Sequence, residues 1–134
     1  MEEADTITTR RLAIWDRYHE ALEPLERAGR IRRPIIPAGC QHNAHLYYLL
    51  LRDLADRTAF IDAMKQAGIN CVFYYVPLHA APQGQRAART DGELPVTTDL
   101  ADRLVRLPLW LGLEEHLMRN WRIGCGCCAI TGRE

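Results

Sequence analysis

Ile69-Asn-Cys-Val-Phe-Tyr-Tyr-Val76, followed at once by Pro77, is the stretch on which the reading of the fold turns. Its β-branched and aromatic residues predict a strand, and Pro77, which has no N–H to give to a ladder, stops it. Gly68, just before it, ends a helix predicted over residues 58–67. That helix has Phe60, Ile61, Met64 and Ala67 on its apolar side and Asp56 or Thr58 as its cap. Further upstream, His45 to Arg52 (HLYYLLLR) predicts another strand, apolar enough to be covered on both faces. Before that, Leu12, Trp15, Tyr18 (or His19), Leu22 and Leu25 recur at spacings of three and four, which predicts an amphipathic helix over residues 5–23. Pro24 is expected to kink or end it, and Gly29 to close the turn that follows. Residues 30–39 contain Pro34, Pro37 and Gly39 and read as an extended connector.

Downstream of Pro77 the pattern weakens. Residues 80–96 have no clear period and read as a surface loop. Thr97 or Thr98 is the expected cap of a short helix through Leu104. Arg106 to Trp110 reads as a short extended piece, and Leu113 to Asn120 as a last helix. Residues 121–134 (WRIGCGCCAITGRE) lose helical periodicity, contain three glycines and resemble a shifted reading frame. They are expected to be a poorly ordered tail. The order of elements predicts one α/β domain, a two-layer α+β sandwich with a small sheet and flanking helices, over residues 1–120.

Seventeen basic residues balance seventeen acidic ones, which argues against nucleic acid as the main partner. No apolar run reaches the ~20 residues that span a bilayer, and the acidic start Met1-Glu-Glu-Ala-Asp5 has no signal-peptide core. The expected location is cytoplasmic. With no secretory signal, the five cysteines (Cys40, Cys71, Cys125, Cys127, Cys128) are expected to be reduced thiols. Cys125-Gly-Cys127-Cys128 crowds three thiols into four residues, unlike the two separated pairs that zinc usually takes, so no metal site is expected. Sixteen of the basic residues are Arg and only Lys65 is Lys. Lys65 lies late in a predicted helix, where a solvated lysine is favoured by the dipole. Covalent amine chemistry needs a desolvated amine instead.

Two polar groupings stand at strand ends. Asn43 and His45, with His42, precede the first strand, where spacing alone favours turn chemistry. Tyr74, Tyr75 and His79 end the second. Strand alternation puts Tyr74 and Tyr75 on opposite faces, so one can pack the core while the other projects its hydroxyl. A phenol and an imidazole at such a position suit the gripping of a polar ligand, although core packing explains a strand tyrosine as well.

Asn43-Ala-His-Leu-Tyr-Tyr48 and Gly68-Ile-Asn-Cys-Val-Phe-Tyr-Tyr-Val-Pro-Leu-His79 together resemble the DegT/DnrJ/EryC1/StrS family of sugar aminotransferases. So do Arg11-Leu-Ala-Ile-Trp15, Tyr18 to Ile31, and Arg103-Leu-Val-Arg-Leu-Pro-Leu109. Within it, the likeness is to the dTDP-4-amino-4,6-dideoxygalactose transaminase type. The resemblance covers about residues 2–115 and implies a fold-type-I enzyme dependent on pyridoxal phosphate (PLP), usually a homodimer. Such an enzyme moves an amino group from glutamate to the keto carbon of a nucleotide-linked deoxysugar. It also implies that these residues form the small C-terminal, substrate-side domain. The large domain then brings the lysine that holds PLP, the acid facing the pyridine nitrogen and most phosphate contacts. By the same resemblance, Tyr75 orients substrate or shuttles a proton, and His79, His45 and Asn43 contact substrate. No cofactor is expected on these residues alone, and they are not expected to be active alone. A split non-catalytic subunit, docking on a separate PLP domain, and a stand-alone nucleotide-sugar-binding module are the competing expectations.

Overall fold

A computed structural model of the chain describes residues 3–113. Helix α1 spans Ala4–Arg27 and turns Ile14, Trp15, Tyr18 and Leu22 inward, the stripe that the three-and-four spacing predicts. It does not end at Pro24. A proline gives up the bond to the carbonyl four residues back, yet the helix runs on to Arg27, with Ala28 N donating to the Pro24 carbonyl at 3.0 Å. The stop is Gly29, in the left-handed region (φ 68). There the Arg30 amide reaches back to the Leu25 carbonyl (3.0 Å) and the Gly29 amide to Glu26 (2.8 Å), closing the orphan carbonyls of the last turn.

The second helix, α2, spans Leu54–Gln66 and starts earlier than expected. Its cap is Asp53, whose carboxylate accepts the Asp56 N–H at 2.8 Å. Neither Asp56 nor Thr58 caps it. The Thr58 hydroxyl bonds instead to the Leu54 carbonyl within the helix (2.9 Å). The chain leaves α2 as it leaves α1: Gly68 has φ 76, and the Ile69 amide donates to Met64 at 2.8 Å.

Three short strands form one sheet in the order β1-β3-β2: β1 is Tyr47–Leu50, β2 is Val72–Phe73 and β3 is Leu104–Leu107. Both outer strands pair antiparallel with β3, Tyr47 opposite Leu107, Leu49 opposite Val105 and Phe73 also opposite Val105. Residues directly opposite share a face, so Tyr47, Leu49, Val105, Leu107 and Phe73 form one face, and Tyr48, Leu50, Leu104, Arg106 and Val72 the other. The first face carries the core. Tyr47, Leu49, Val105 and Leu107 are buried there with Ile14, Trp15, Tyr18 and Leu22 of α1 and with Phe60 and Met64 of α2. The helices therefore cover one face of a three-stranded sheet, the two-layer sandwich expected. β1 is covered less evenly than predicted, since Tyr48 on the second face is only half-buried.

The segment between α1 and β1 is fastened rather than loose. The Arg33 N–H and Nε both donate to the Glu26 carboxylate (2.7 and 2.6 Å), and Arg32 exchanges two backbone bonds with Leu50 (2.9 and 3.0 Å), so the outer edge of β1 is partly covered. The strand predicted over 69–76 shrinks to two residues. Residues 69–71 are used in leaving α2, and the pairing with β3 stops at Phe73, one residue short of the start of β3. The region expected as loop holds two short helices, α3 (Pro82–Ala87) and α4 (Pro95–Arg103), each with a proline in its first turn, where the missing N–H costs nothing. α4 therefore begins before Thr97, and β3 follows it directly, ahead of the extended piece expected at 106–110. Most of the last predicted helix and all of the tail lie outside the described residues. No helix among the described residues is long and apolar enough to cross a membrane.

Truncating Leu49 to Ala removes a side chain from the centre of the core face and is expected to cost about 2–5 kcal/mol, read from the denaturant midpoint. Acidification gives a second check. Burial, then the Arg33 charge, hold the His19 pKa below its ordinary 6.5. The unfolded chain thus binds the proton more readily, and the His19 contribution is complete above pH 6.5 and lost as pH falls below it. His19→Gln is expected to flatten that part of the stability profile; an unchanged slope between pH 7 and 5 rules His19 out as its source.

Candidate functional site

Beyond Phe73 the backbone leaves β2, and the next residues crowd apolar and aromatic side chains onto the surface. Tyr74 and Tyr75 meet edge-on, with ring centroids 4.7 Å apart. Neither packs in the core, contrary to the alternation argument, because the strand has ended before either of them. They differ in how they are held. The Arg106 guanidinium lies over the Tyr74 ring, 5.2 Å from its centroid, a cation–π contact. Tyr75 is 68% exposed, and its hydroxyl makes no hydrogen bond among the described residues. The Tyr74 hydroxyl makes none either, so the two phenols differ in exposure and in ring contact, Tyr75 being the more open of the pair.

His79 is set by a turn. The Pro77 carbonyl accepts both the Ala80 and the Ala81 N–H, each at 2.9 Å. His79 Nε2 then lies 3.1 Å from the Thr98 hydroxyl of α4, and that hydroxyl donates to the Leu94 carbonyl at 3.2 Å. With its one proton so used, the hydroxyl accepts from Nε2–H, which leaves Nδ1 of a neutral His79 as an acceptor. Gly84 locks the same turn from the far side, since a Cβ there would sit 1.7 Å from the Leu78 carbonyl oxygen.

Asn43 and His45 lie elsewhere. β1 and β2 both run antiparallel to β3, so the start of β1 and the end of β2 are at opposite ends of the sheet. Both side chains are exposed. Asn43 Oδ1 accepts the His45 N–H (3.1 Å) and His42 Nδ1 the Ala44 N–H (3.4 Å), the turn chemistry that spacing alone favours. Between them Ala44 is buried at φ 48, its carbonyl held by Arg11 Nε at 3.0 Å. Within the described residues, Tyr75 and His79 share one loop, and Asn43 and His45 do not join them.

The sequence reading missed a cleft of about 440 Å³ on the α1 side, lined by Trp15, His19, Glu26, Arg33, Ile35 and Ile36. His19 stacks on Trp15 (4.6 Å, 15°) and its Nδ1 lies 3.3 Å from the Tyr47 hydroxyl; burial pushes that phenol's pKa upward. The i, i+4 spacing of Trp15 and His19 was the available signal, but His19 figured only as an alternative to Tyr18 in the stripe. None of the four site residues lines this cleft. Of the cysteines described, Cys71 is buried, which pushes its thiol up to about 12, and Cys40 is exposed. No cluster of His, Cys, Asp or Glu fit for a metal occurs among the described residues.

Residues 1–120 match the DegT/DnrJ/EryC1/StrS aminotransferase family. The chain belongs to this family. An uncharacterised protein of Methanocaldococcus jannaschii is 31% identical over 114 residues, which are 82% of this chain and 29% of that protein. Among solved structures, a DegT/DnrJ/EryC1/StrS aminotransferase of Brucella abortus is similar with a TM-score of 0.73 and 26% identity, covering 96% of this chain and 32% of that one. DesV of S. venezuelae is similar with a TM-score of 0.79 and 23% identity, covering 99% and 34%. The chain thus spans about a third of the length of the relatives it matches. The family is PLP-dependent, but the described residues do not fit the cofactor. Their one lysine, Lys65, is exposed in the last turn of α2, whereas a cofactor lysine needs a desolvated amine.

Gly84→Ala is expected to force the Leu78 carbonyl aside and part His79 from Thr98, seen as a changed His79 ring signal by NMR with the β1–β3 amides unmoved. An unchanged His79 signal shows that Gly84 does not lock the turn.

Proposed function

We propose that this chain is the C-terminal, substrate-side third of a PLP-dependent aminotransferase acting on a nucleotide-linked 4-keto-6-deoxyhexose. The dTDP sugar is the form we favour, of the dTDP-4-amino-4,6-dideoxygalactose transaminase type, with a place in surface-polysaccharide sugar synthesis and in the cytoplasm. The observation that carries this reading is the family match over residues 1–120 in a chain spanning about a third of its solved relatives. PLP, when bound, supplies the electron sink for amino transfer. The cofactor lysine and most cofactor contacts come from outside these residues, which are inactive without them. Two such assemblies, paired as a homodimer, would make the working enzyme.

In this reading the chain binds and orients. Tyr75 presents an unpaired phenol to the sugar, where it can hold a hydroxyl or keto oxygen and pass a proton. His79, its Nε2–H engaged by Thr98, presents Nδ1 as an acceptor for a sugar hydroxyl. Asn43 and His45 are placed to contact substrate only if it, or a neighbouring subunit, reaches the opposite end of the sheet.

Tyr75→Phe in an assembled enzyme carrying this chain is expected to lower kcat by about 100-fold or more, measured with glutamate and dTDP-4-keto-6-deoxyglucose. Unchanged turnover removes Tyr75 from the mechanism. His79→Ala is expected to raise KM for the sugar nucleotide with a smaller effect on kcat. A PLP absorbance band from this chain alone, or tight dTDP-sugar binding by it alone, sinks the substrate-third reading in favour of a self-sufficient enzyme or a binding module.

A further inference from the structure

The two edges of the sheet are treated differently. The outer edge of β1 is bridged by Arg32. Among the described residues that of β2 has no neighbour, and residues 72–76 make no backbone hydrogen bond outside the β2–β3 ladder. Open edges in soluble proteins are usually guarded by charge, yet from Gly68 to Ala81 there is no Asp, Glu, Lys or Arg. Val72, Phe73, Tyr74, Val76 and Leu78 are all exposed, Leu78 at 81%. Scattered apolar side chains on a surface are ordinary; a contiguous strip of them on a bare edge marks an interaction surface.

The strip is also stiffened from behind. Arg57 lies over the Phe73 ring at 5.3 Å and Arg106 over Tyr74 at 5.2 Å. Phe73 and Arg106 project from opposite faces of the sheet, so the two guanidinium groups brace the edge from both sides. Each has a buried Nε without a partner. The rings therefore offer their outer sides in fixed positions, and little ordering entropy remains to be lost on binding.

We infer that the bare β2 edge and the apolar strip from Val72 to Leu78 are the surface on which the cofactor-bearing two-thirds of the aminotransferase docks, and that this docking sets Tyr75 and His79 against the substrate. This rests on the aminotransferase reading. That occupant is favoured over a second copy of this chain because the relatives carry about twice this length of further polypeptide beside the matched third. The strip also leads directly into the loop that carries Tyr75 and His79. Docking here would place the substrate residues at the seam and leave the helical layer facing solvent.

The test grafts this chain in place of the matching third of the Brucella abortus aminotransferase. It compares amide hydrogen exchange at residues 72–76 in the hybrid and in this chain alone, with PLP absorbance read in parallel. The expected result is exchange slowed by tenfold or more at 72–76 in the hybrid, with α2 amides unchanged. Unslowed exchange in a hybrid that shows the PLP band overturns the docking surface and leaves the aminotransferase reading intact. Slowed exchange without the band supports the surface and counts against that reading. Exchange in the lone chain that slows as its own concentration rises assigns the strip to a second copy and overturns the inference. Because a hybrid can fail at its seams, Val76→Asp and Leu78→Asp are also made in the chain alone. Both are expected to leave its thermal midpoint within about 2 °C; a larger fall places these side chains in the chain's own packing and overturns the surface.

Discussion

The pairing of β3 with both of its neighbours is the constraint from which the rest of the molecule follows. β1 and β2 are not neighbours in the sheet; each pairs with Leu104–Leu107. Val105 is opposite both Leu49 and Phe73, so one buried side chain fixes the register of two strands. A slip of one residue would send Val105 and Leu107 to the open face and put Leu104 and Arg106 in the core, where the unpaired guanidinium would cost several kcal/mol. The strand is anchored just upstream by a reciprocal clasp. The Leu51 amide donates to the Arg103 carbonyl at 3.0 Å, and Arg103 Nε donates to the Leu51 carbonyl at 2.8 Å. These contacts join residues more than fifty apart in sequence, so the sheet forms only after a large loop closes.

With the register set, the helices have one place to go. The apolar stripe of α1 and the Phe60–Met64 side of α2 both cover the face that Tyr47, Leu49, Val105 and Leu107 present. The other face keeps Arg106 and Tyr74, and at its β2 edge the chain becomes apolar and exposed together. The Tyr75–His79 loop is therefore not an appendage. It leaves the edge strand, is turned by Pro77, held by the Leu78–Gly84 contact and pinned to α4 through Thr98, so its geometry is inherited from the sheet.

Much of this was written in local patterns. The α1 stripe, the Gly29 and Gly68 stops and the apolar runs at 45–52 and 69–76 carried their own signals, since burial and left-handed backbone demand particular residue types. The Asp53 cap was hidden because an aspartate directly after a strand looks like turn chemistry. α3 escaped because six residues with no buried side chain have no period to detect. The brevity of β2 shows only in its pairing with β3, some thirty residues away, which no local pattern encodes. For the site, the sequence pointed to both strand-end groupings, but that they fall at opposite ends of the sheet follows from strand order alone. That the Tyr74 ring is covered on one side follows from Arg106, which is distant in sequence.

The preference for arginine has a consequence of its own. Arg11, Arg33, Arg57 and Arg103 each donate to backbone carbonyls well away in sequence, at Ala44, His19, Ala101 and Leu51. In each, a planar fork stitches one segment to another, a task for which the compact lysine ammonium is poorly shaped. The pairs Arg27–Glu23 and Arg103–Asp99 lie along helix surfaces, where dissolved ions screen attraction between exposed charges. A partly buried bond from a cation to a carbonyl dipole offers far less to screen. The long-range stitching of this domain is thus built to persist in concentrated salt, while its helix-surface pairs fade.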